Sequence, residues 1–313
     1  MGDKMGNSKK IVSTNVNYSY NVMQRDILML KKTYPFLEVS SMGKSVLENN
    51  LPIIRLGDGP NEVFYSASFH ANEWITTPLL MKFIENFCMS YVTNSNIYGH
   101  SAKEIFNNTS IYLAPMVNPD GVNLLTDTYS HNSSPYMQAQ QIASLYPDIP
   151  FPNGWKANIH GVDLNLQYPA GWEQAREIKF AQGFTQPSPR DYVGPTVLSE
   201  PESQSIYNFT LSKNFRLVLA YHTQGKVIFW QFQDYTPPEA RLIGQKFSVS
   251  SGYPLEDTPY NSSFAGYKDW FIKEYRNPGY TIEAGIGENP LPISQFDEIY
   301  ADNEGILVLG AIL

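Results

Sequence analysis

Two histidines close apolar runs in this sequence, SASFH at His70 and LVLAYH at His222, and a third such run, YTIE, closes on Glu283. Three residues past His70 stands Glu73, followed by a helix-like segment, WITTPLLMKFIENF. An imidazole and a carboxylate spaced H-x-x-E, where a strand hands over to a helix, can point at one centre. That arrangement suits two of the three protein ligands of a catalytic zinc, whose fourth position stays open for water. The pair alone equally describes a solvated helix start with Glu73 near the helix dipole. Each histidine alone equally describes a core or rim residue with a satisfied hydrogen bond. Three ligand-type residues at strand ends, joined by Glu73, instead suggest one shared site at the carboxyl edge of a sheet, where open α/β sheets bind ligands.

The chemistry then assigns roles. His70, Glu73 and His222 supply two nitrogens and a carboxylate to one zinc per chain, whose bound water has a lowered pKa. Glu283 is the remaining carboxylate and the candidate general base, which must lie within hydrogen-bond reach of that water. Asp163 either accepts the other N–H of His70 or is an ordinary turn aspartate.

These residues need a scaffold. A helix is expected from Ser19 up to Pro35, with Tyr20, Met23, Ile27 and Leu30 on one face. Phe36 to Ser40 and Leu51 to Leu56 read as a hairpin-like strand pair, and Val63 to Phe69 as a buried central strand. Ser110 to Val117 reads as another strand, ending in the turn Asn118-Pro119-Asp120-Gly121. Residues 125–154 read as a surface excursion, Gly161 to Asn165 as a short strand-like piece, and 169–199 as loop. Glu200 to Ser212 reads as helix, Phe215 to Tyr221 as strand, and Pro238 to Ser251 and Gly266 to Tyr275 as helices. Tyr280 to Ala284 is a strand and Ile293 to Leu313 a final helix. The alternation predicts an α/β fold, a three-layer α/β/α sandwich on a mixed, mostly parallel sheet. Residues 1–16 are expected to be a flexible arm and 17–313 one catalytic domain.

Composition bounds the rest. A 313-residue chain with 42% hydrophobic and 17% charged residues can bury a core without staples. A net charge of −8 argues against a nucleic-acid partner. One cysteine, Cys88, excludes an intramolecular disulfide and a cysteine-based metal site. MGDKMGNSKK has no apolar run behind it, and no stretch approaches 18 uninterrupted apolar residues. A soluble cytoplasmic chain, acting as a monomer without a membrane, is the expectation.

The markers His70-x-x-Glu73, NPDG at Asn118–Gly121, GVDLN at Gly161–Asn165, His222 after a strand and TIE ending in Glu283 stand in order. With them the chain resembles the zinc carboxypeptidases from about residue 17 onward. The resemblance implies zinc on His70, Glu73 and His222, with Glu283 as general base. It implies Lys156, after Trp155, as oxyanion stabiliser, and Tyr260 as the tyrosine of a closing loop. Asn165 falls at a substrate-binding position, and Lys268 at the side-chain specificity position. Lys268 is read either as a partner for a substrate carboxylate or as a surface lysine on a helix.

One position departs from the family pattern. Where the carboxypeptidases follow asparagine with an arginine that clamps the substrate's terminal carboxylate, this chain has Asn165-Leu166. Leucine cannot form that fork. The stretches WKANIHGVDLNLQYPAGW, AGYKDWFI and IEAGIGENPLP are similar to the bacterial γ-D-glutamyl-L-diamino acid endopeptidases. Those enzymes cut between γ-D-glutamate and meso-diaminopimelate in peptidoglycan stem peptides. Some carry N-terminal wall-binding repeats; none stands in this sequence, so soluble muropeptides are the expected substrate. The rival expectations are a conventional metallocarboxypeptidase, a related deacylase, and a zinc-free peptide-binding homologue. The intact His70, Glu73, His222 and Glu283 argue against the last.

Overall fold

The structure, a computed structural model, describes residues 10–313. Its strands are β1 (Glu38–Lys44), β2 (Asn50–Leu56), β3 (Asn61–Ala67), β4 (Asn96–Ile97), β5 (His100–Ser101), β6 (Thr109–Ala114), β7 (Phe215–His222), β8 (Val227–Phe229), β9 (Leu255–Glu256) and β10 (Gly279–Glu283). Its helices are α1 (Tyr20–Thr33), α2 (Thr76–Val92), α3 (Ala102–Asn108), α4 (Pro119–Leu125), α5 (Ser134–Ala143), α6 (Trp172–Ala181), α7 (Pro201–Leu211), α8 (Ala240–Ser251), α9 (Tyr267–Tyr275) and α10 (Phe296–Ile312). Eight strands form one sheet in the order β1-β2-β6-β3-β7-β10-β8-β9. Its centre, β6-β3-β7-β10, is parallel, while β1-β2, β2-β6 and β10-β8 pair antiparallel.

The two faces of the sheet follow the period-two alternation of the strands. Val63, Tyr65 and Ala67 of β3, with Leu217, Leu219 and Tyr221 of β7, pack toward α1, α2, α8 and α10. Phe64 of β3, with Val218 and Ala220 of β7, packs toward α7 and α9, where Tyr267, Trp270 and Phe271 meet them. The central strands are apolar on both faces, as a sheet covered on both sides requires. Helices therefore layer both faces, and the mixed sheet matches the expected three-layer architecture. Among the described residues no helix is long and apolar enough to cross a membrane.

Several expectations are corrected. Gly161 to Asn165 is not a strand: it is a loop ending in a 3-10 turn at Leu164–Leu166, because its backbone bonds go to local partners and to another loop, such as Asp163 N–H to Tyr192 O. The stretch 169–199 is not all loop, since it contains α6, which buries Trp172 and Ala175. The NPDG turn opens a helix, with Asn118 capping α4 and Pro119 at its first position. The short edge strands β8 and β9 had no legible pattern. Residues 1–9 of the expected arm lie outside the described residues. Its remaining part is tied down: Val12 is buried, Ile11 N–H donates to Glu85, and Ser13 N–H donates to Asp26.

What positions the site is a knot of backbone at the end of β3. Asn118 is fully buried there; its Nδ2 donates to Phe69 O at 3.2 Å and Ala157 O at 3.0 Å, and its Oδ1 accepts from Gly121 N at 3.0 Å. Gly121 lets α4 approach closely, since a Cβ there would sit 2.7 Å from Ala157 O and from Ala71 Cβ. Ala71 N–H donates to Lys156 O at 3.0 Å. Residues 69–73 and 155–157 are thereby held as one piece. Asn118→Ala strands these partners, and an unmade buried hydrogen bond costs about 1–3 kcal/mol. Chemical denaturation should show at least that loss, and a change below about 0.5 kcal/mol would mean that Asn118 does not hold the knot.

Candidate active site

Three parallel strand ends deliver the polar residues. In the register of β10 and β7, Glu283 lies opposite His222, and β3 aligns Ala67 with Tyr221, so its continuation brings His70 to the same edge. Beyond Ala67 the chain turns at Ser68, whose φ of 52° is left-handed. Ser68 N–H donates to Thr76 Oγ1 at 3.0 Å, and the turn presents His70 and then the 3-10 turn Ala71–Glu73.

His70, Glu73 and His222 are buried and converge. Glu73 Oε1 lies 2.9 Å from His70 Nδ1, and Glu73 Oε2 lies 2.9 Å from His222 Nδ1. The two Nδ1 atoms are 3.2 Å apart. His70 Nε2 lies 2.9 Å from Asp163 Oδ1. An ionised carboxylate only accepts, so Nε2 carries a proton toward Asp163, and in the neutral ring that metal binding requires, Nδ1 presents the lone pair. Two imidazole nitrogens and a carboxylate then meet as acceptors around one point, a donor set that fits a borderline-soft divalent cation. Tetrahedral ligands about 2.0–2.2 Å from zinc lie roughly 3.3–3.6 Å apart, a few tenths of an ångström beyond the 2.9–3.2 Å separations seen.

The remaining expected residues fall into two groups. Lys156 Nζ lies 3.3 Å from Glu73 Oε1 and enters the cleft. Asp163 has both readings at once: it faces His70 and also accepts from Asn165 N at 3.1 Å, capping its own turn. Asn165 lines the cleft, with Nδ2 3.5 Å from His222 Nε2 and Oδ1 accepting from Tyr267 N at 3.0 Å. Lys268 is not a surface lysine. It is 4% exposed and lines the cleft, with Nζ 2.7 Å from Gln231 O and 2.6 Å from Asp269 Oδ1. Tyr260 is 61% exposed and rests its ring against Phe264, while its neighbours Pro259 and Ser262 line the cleft. His160, to which the sequence assigns no role, lies outside the cleft, with Nδ1 2.9 Å from Glu200.

The cleft has two halves. The inner, about 310 Å³, holds the His-Glu-His cluster with Asn165, Leu166 and Lys268. The outer, about 810 Å³, runs past Asn72, Gln224 and Asn289. Lys156, Arg190, Phe229 and Glu283 line both. The sequence reading passed over Arg190 and Lys179. They sit in and beside a proline-containing loop with no pattern of its own, and only the chain's return over the strand ends brings them here.

The two cleft glutamates are tuned apart. Burial disfavours the Glu73 anion, but His70, Lys156 and His222 outweigh it and hold its pKa well below the usual range. Desolvation and then the Glu73 charge push Glu283 up to about 8. Burial lowers the His70 pKa, but Glu73 and Asp163 carry it up to about 9. Burial lowers His222, which its Glu73 contacts only partly offset.

Two buried imidazoles and a buried glutamate at the carboxyl edge of a parallel sheet, with a second glutamate beside them, define the site of a metal-dependent hydrolase. The zinc carboxypeptidase family model matches residues 23–304, and the chain belongs to that family. It is 44% identical over 305 residues to γ-D-glutamyl-L-diamino acid endopeptidase 1 of Lysinibacillus sphaericus, covering 97% of this chain and 74% of that protein. In fold it is similar to carboxypeptidase A of Helicoverpa armigera, with a TM-score of 0.71, 19% identity, and coverage of 97% of this chain and 76% of that one. It is also similar in fold to murein-tripeptide amidase MpaA of Escherichia coli O157, with a TM-score of 0.53, 17% identity, and coverage of 86% and 91%.

The pKa pattern sets a pH dependence for the metal-free chain. Burial first raises buried Glu202 to about 7, and Glu283 reaches about 8, both above the ordinary glutamate value of about 4.3. Between those limits the folded state binds more protons than the unfolded one, so stability falls as pH rises. The stabilisation from charged His70 is present below about 6.5 and is lost as pH rises through about 9, in the same direction. Urea midpoints of metal-free protein should therefore decline from pH 5 to 9, with Glu283→Gln flattening part of the slope. Midpoints that climb over this range would contradict the tuning.

Proposed function

We propose that the chain is a zinc-dependent peptidase that hydrolyses the γ-D-glutamyl–meso-diaminopimelate bond of peptidoglycan-derived peptides. The carrying observation is its 44% identity, across 97% of its length, to a γ-D-glutamyl-L-diamino acid endopeptidase. Leu166 supports the same reading, because it leaves no arginine after Asn165 to clamp a terminal α-carboxylate.

His70 Nδ1, Glu73 and His222 Nδ1 would hold one zinc, and Asp163 orients His70 by accepting its Nε2–H. When bound, the metal supplies Lewis acidity, lowering the pKa of a water and polarising the scissile carbonyl. Glu283 takes the proton of the attacking water and passes it to the leaving amine. It suits that role because no group among the described residues bonds its carboxylate, and because it lines both halves of the cleft. Lys156 steadies the oxyanion from the same junction, with its ammonium held in the cleft beside Glu73. Asn165 and Lys268 line the inner half, which takes the leaving diamino acid. Tyr260 stands on the rim, on the loop beside the mouth.

Glu283→Gln should fold and bind zinc like the parent while losing turnover by about a hundredfold or more, the usual worth of general-base catalysis. Retention of activity within about tenfold would remove Glu283 from that role. His70→Ala should lose zinc, read by metal analysis, and undiminished zinc would break the ligand assignment. On one preparation, L-Ala-γ-D-Glu-meso-diaminopimelate should be cut at the γ-glutamyl bond, and blocked α-linked dipeptides should be poor substrates. Efficient release of C-terminal residues from all-L peptides, with the tripeptide untouched, would favour a conventional carboxypeptidase.

A further inference from the structure

Four lysine and arginine side chains line the inner cleft, and three of them already have their charged nitrogen beside an acceptor of the protein. Lys268 is bonded to Gln231 O and lies 2.6 Å from Asp269. Lys179 is paired with Asp191 at 2.6 Å. Lys156 lies 3.3 Å from Glu73. Arg190 differs: its Nε is bonded to Asp191 Oδ2 at 2.6 Å, and no group among the described residues accepts from its two Nη groups. Its side chain is 44% exposed, at the junction of the two halves beside Lys156 and Glu283.

The loop carrying this arginine is built to hold it still. The Asp191 carboxylate is clamped between Arg190 Nε and Lys179 Nζ. Pro189 O accepts from both Lys156 N at 2.8 Å and Ala157 N at 3.0 Å. Ser188 N–H donates to Gly161 O, and Ser188 Oγ donates to Arg190 O. Asp163 N–H donates to Tyr192 O at 2.8 Å. Residues 188–192 are thus stitched to the segment that carries Lys156 and Asp163. An arginine ordered in advance loses little freedom when its ligand arrives, and its unpaired Nη groups can still donate to a carboxylate.

We propose that Arg190 binds the α-carboxylate of the glutamyl residue on the acyl side of the scissile bond, and so selects γ-linked glutamyl substrates. This rests on the functional reading above. In a γ-glutamyl amide, three carbons separate the scissile carbonyl from a free carboxylate. An ordinary α-linked peptide has no charge there. Among the residues lining the outer half, Lys156 and Arg190 are the only cations. Lys156 faces Glu73, so the carboxylate on that side has Arg190 as its partner. The inner half offers the leaving diamino acid other polar groups, Asn165 and Lys268 among them. Arg190 replaces no residue of the terminal-carboxylate clamp, which Leu166 has removed; it reads a different carboxylate from a different loop.

The test compares kcat/KM of the parent, Arg190→Gln and Arg190→Lys on three peptides. They are L-Ala-γ-D-Glu-meso-diaminopimelate, the same peptide amidated at the glutamyl α-carboxylate, and one amidated at the diaminopimelate carboxylate next to the scissile nitrogen. The parent should prefer the first peptide over the second by on the order of a hundredfold, the upper end of what a hydrogen bond to a charged group contributes. Arg190→Gln should lose about that factor on the first peptide and stay within about threefold of the parent on the second. Arg190→Lys, which keeps the charge but not the fork, should fall between. Zinc content and melting temperature should match the parent. A parent indifferent to glutamyl amidation overturns the proposal, and so does a Gln variant equally slow on the first two peptides. An Arg190 effect that follows amidation of diaminopimelate instead also overturns it. If the Gln variant does not fold, the parent's own ratio and the Lys variant decide. If the parent cuts the tripeptide whatever its amidation, only the Arg190 proposal fails. If it cuts none of the three yet trims α-linked peptides, the functional reading fails and the proposal falls with it.

Discussion

A carboxylate with 1% of its side chain exposed sits at the end of an apolar strand layer, and the site is arranged around keeping it charged. An uncompensated buried carboxylate costs several kcal/mol. Glu73 is answered by His70 Nδ1, His222 Nδ1, Lys156 Nζ and the Thr223 N–H. These partners come from three separate parts of the chain, His222 and Thr223 being neighbours. His70 continues β3, His222 ends β7, and Lys156 rides on the segment that Asn118 pins to the end of β3. The cluster therefore forms only when the sheet, α4 and the 155–157 segment have all come together.

Concentrating charge on Glu73 has a consequence for its neighbour. Glu283, desolvated in the same cleft and facing that anion, holds its proton to about 8. Two glutamates in one cavity are thus pushed in opposite directions by their surroundings, one toward permanent charge and one toward proton exchange near neutrality. Such divergence lets like side chains take unlike roles. The difference lies in their partners. Glu73 touches both imidazoles and a lysine, and no group among the described residues bonds the Glu283 carboxylate.

The cluster and the rim of the cleft are built from different material. The convergent cluster stands at strand ends, where register and packing define each position. The groups that border it toward solvent come mostly from loops: Arg190 and Asp191 from 188–192, and Thr258, Pro259 and Ser262 beside the mouth. Loops over a rigid sheet can change charge and shape without disturbing the strands beneath. Leu166, on the 3-10 turn of residues 164–166, offers no hydrogen-bond fork to the cleft, while Asn165 beside it accepts from Tyr267 N.

Much of this was legible in the chain itself. His70, His222 and Glu283 each close an apolar run, and a run that ends in a ligand-type residue marks a strand edge without knowledge of its neighbours. The α/β alternation and the central strands were legible for the same reason, since burial on both faces demands continuous apolar stretches. What the sequence could not show was anything carried by long-range closure. The pattern of α6 was hidden in a proline- and glycine-containing stretch, because its buried apolar residues, Trp172 and Ala175, pack on loops and not on the sheet. Residues 161–165 alternate like a strand, yet their backbone partners are a neighbouring loop and their own turn. Lys268 could be numbered but not placed, since a lysine on a helix is buried or exposed only according to what covers it. Arg190 lies 34 residues from Lys156 and 120 from His70 in the chain, and no local signal links them. Residue type and periodicity determined the strand ends; the folding of loops over those ends decided which charges meet there.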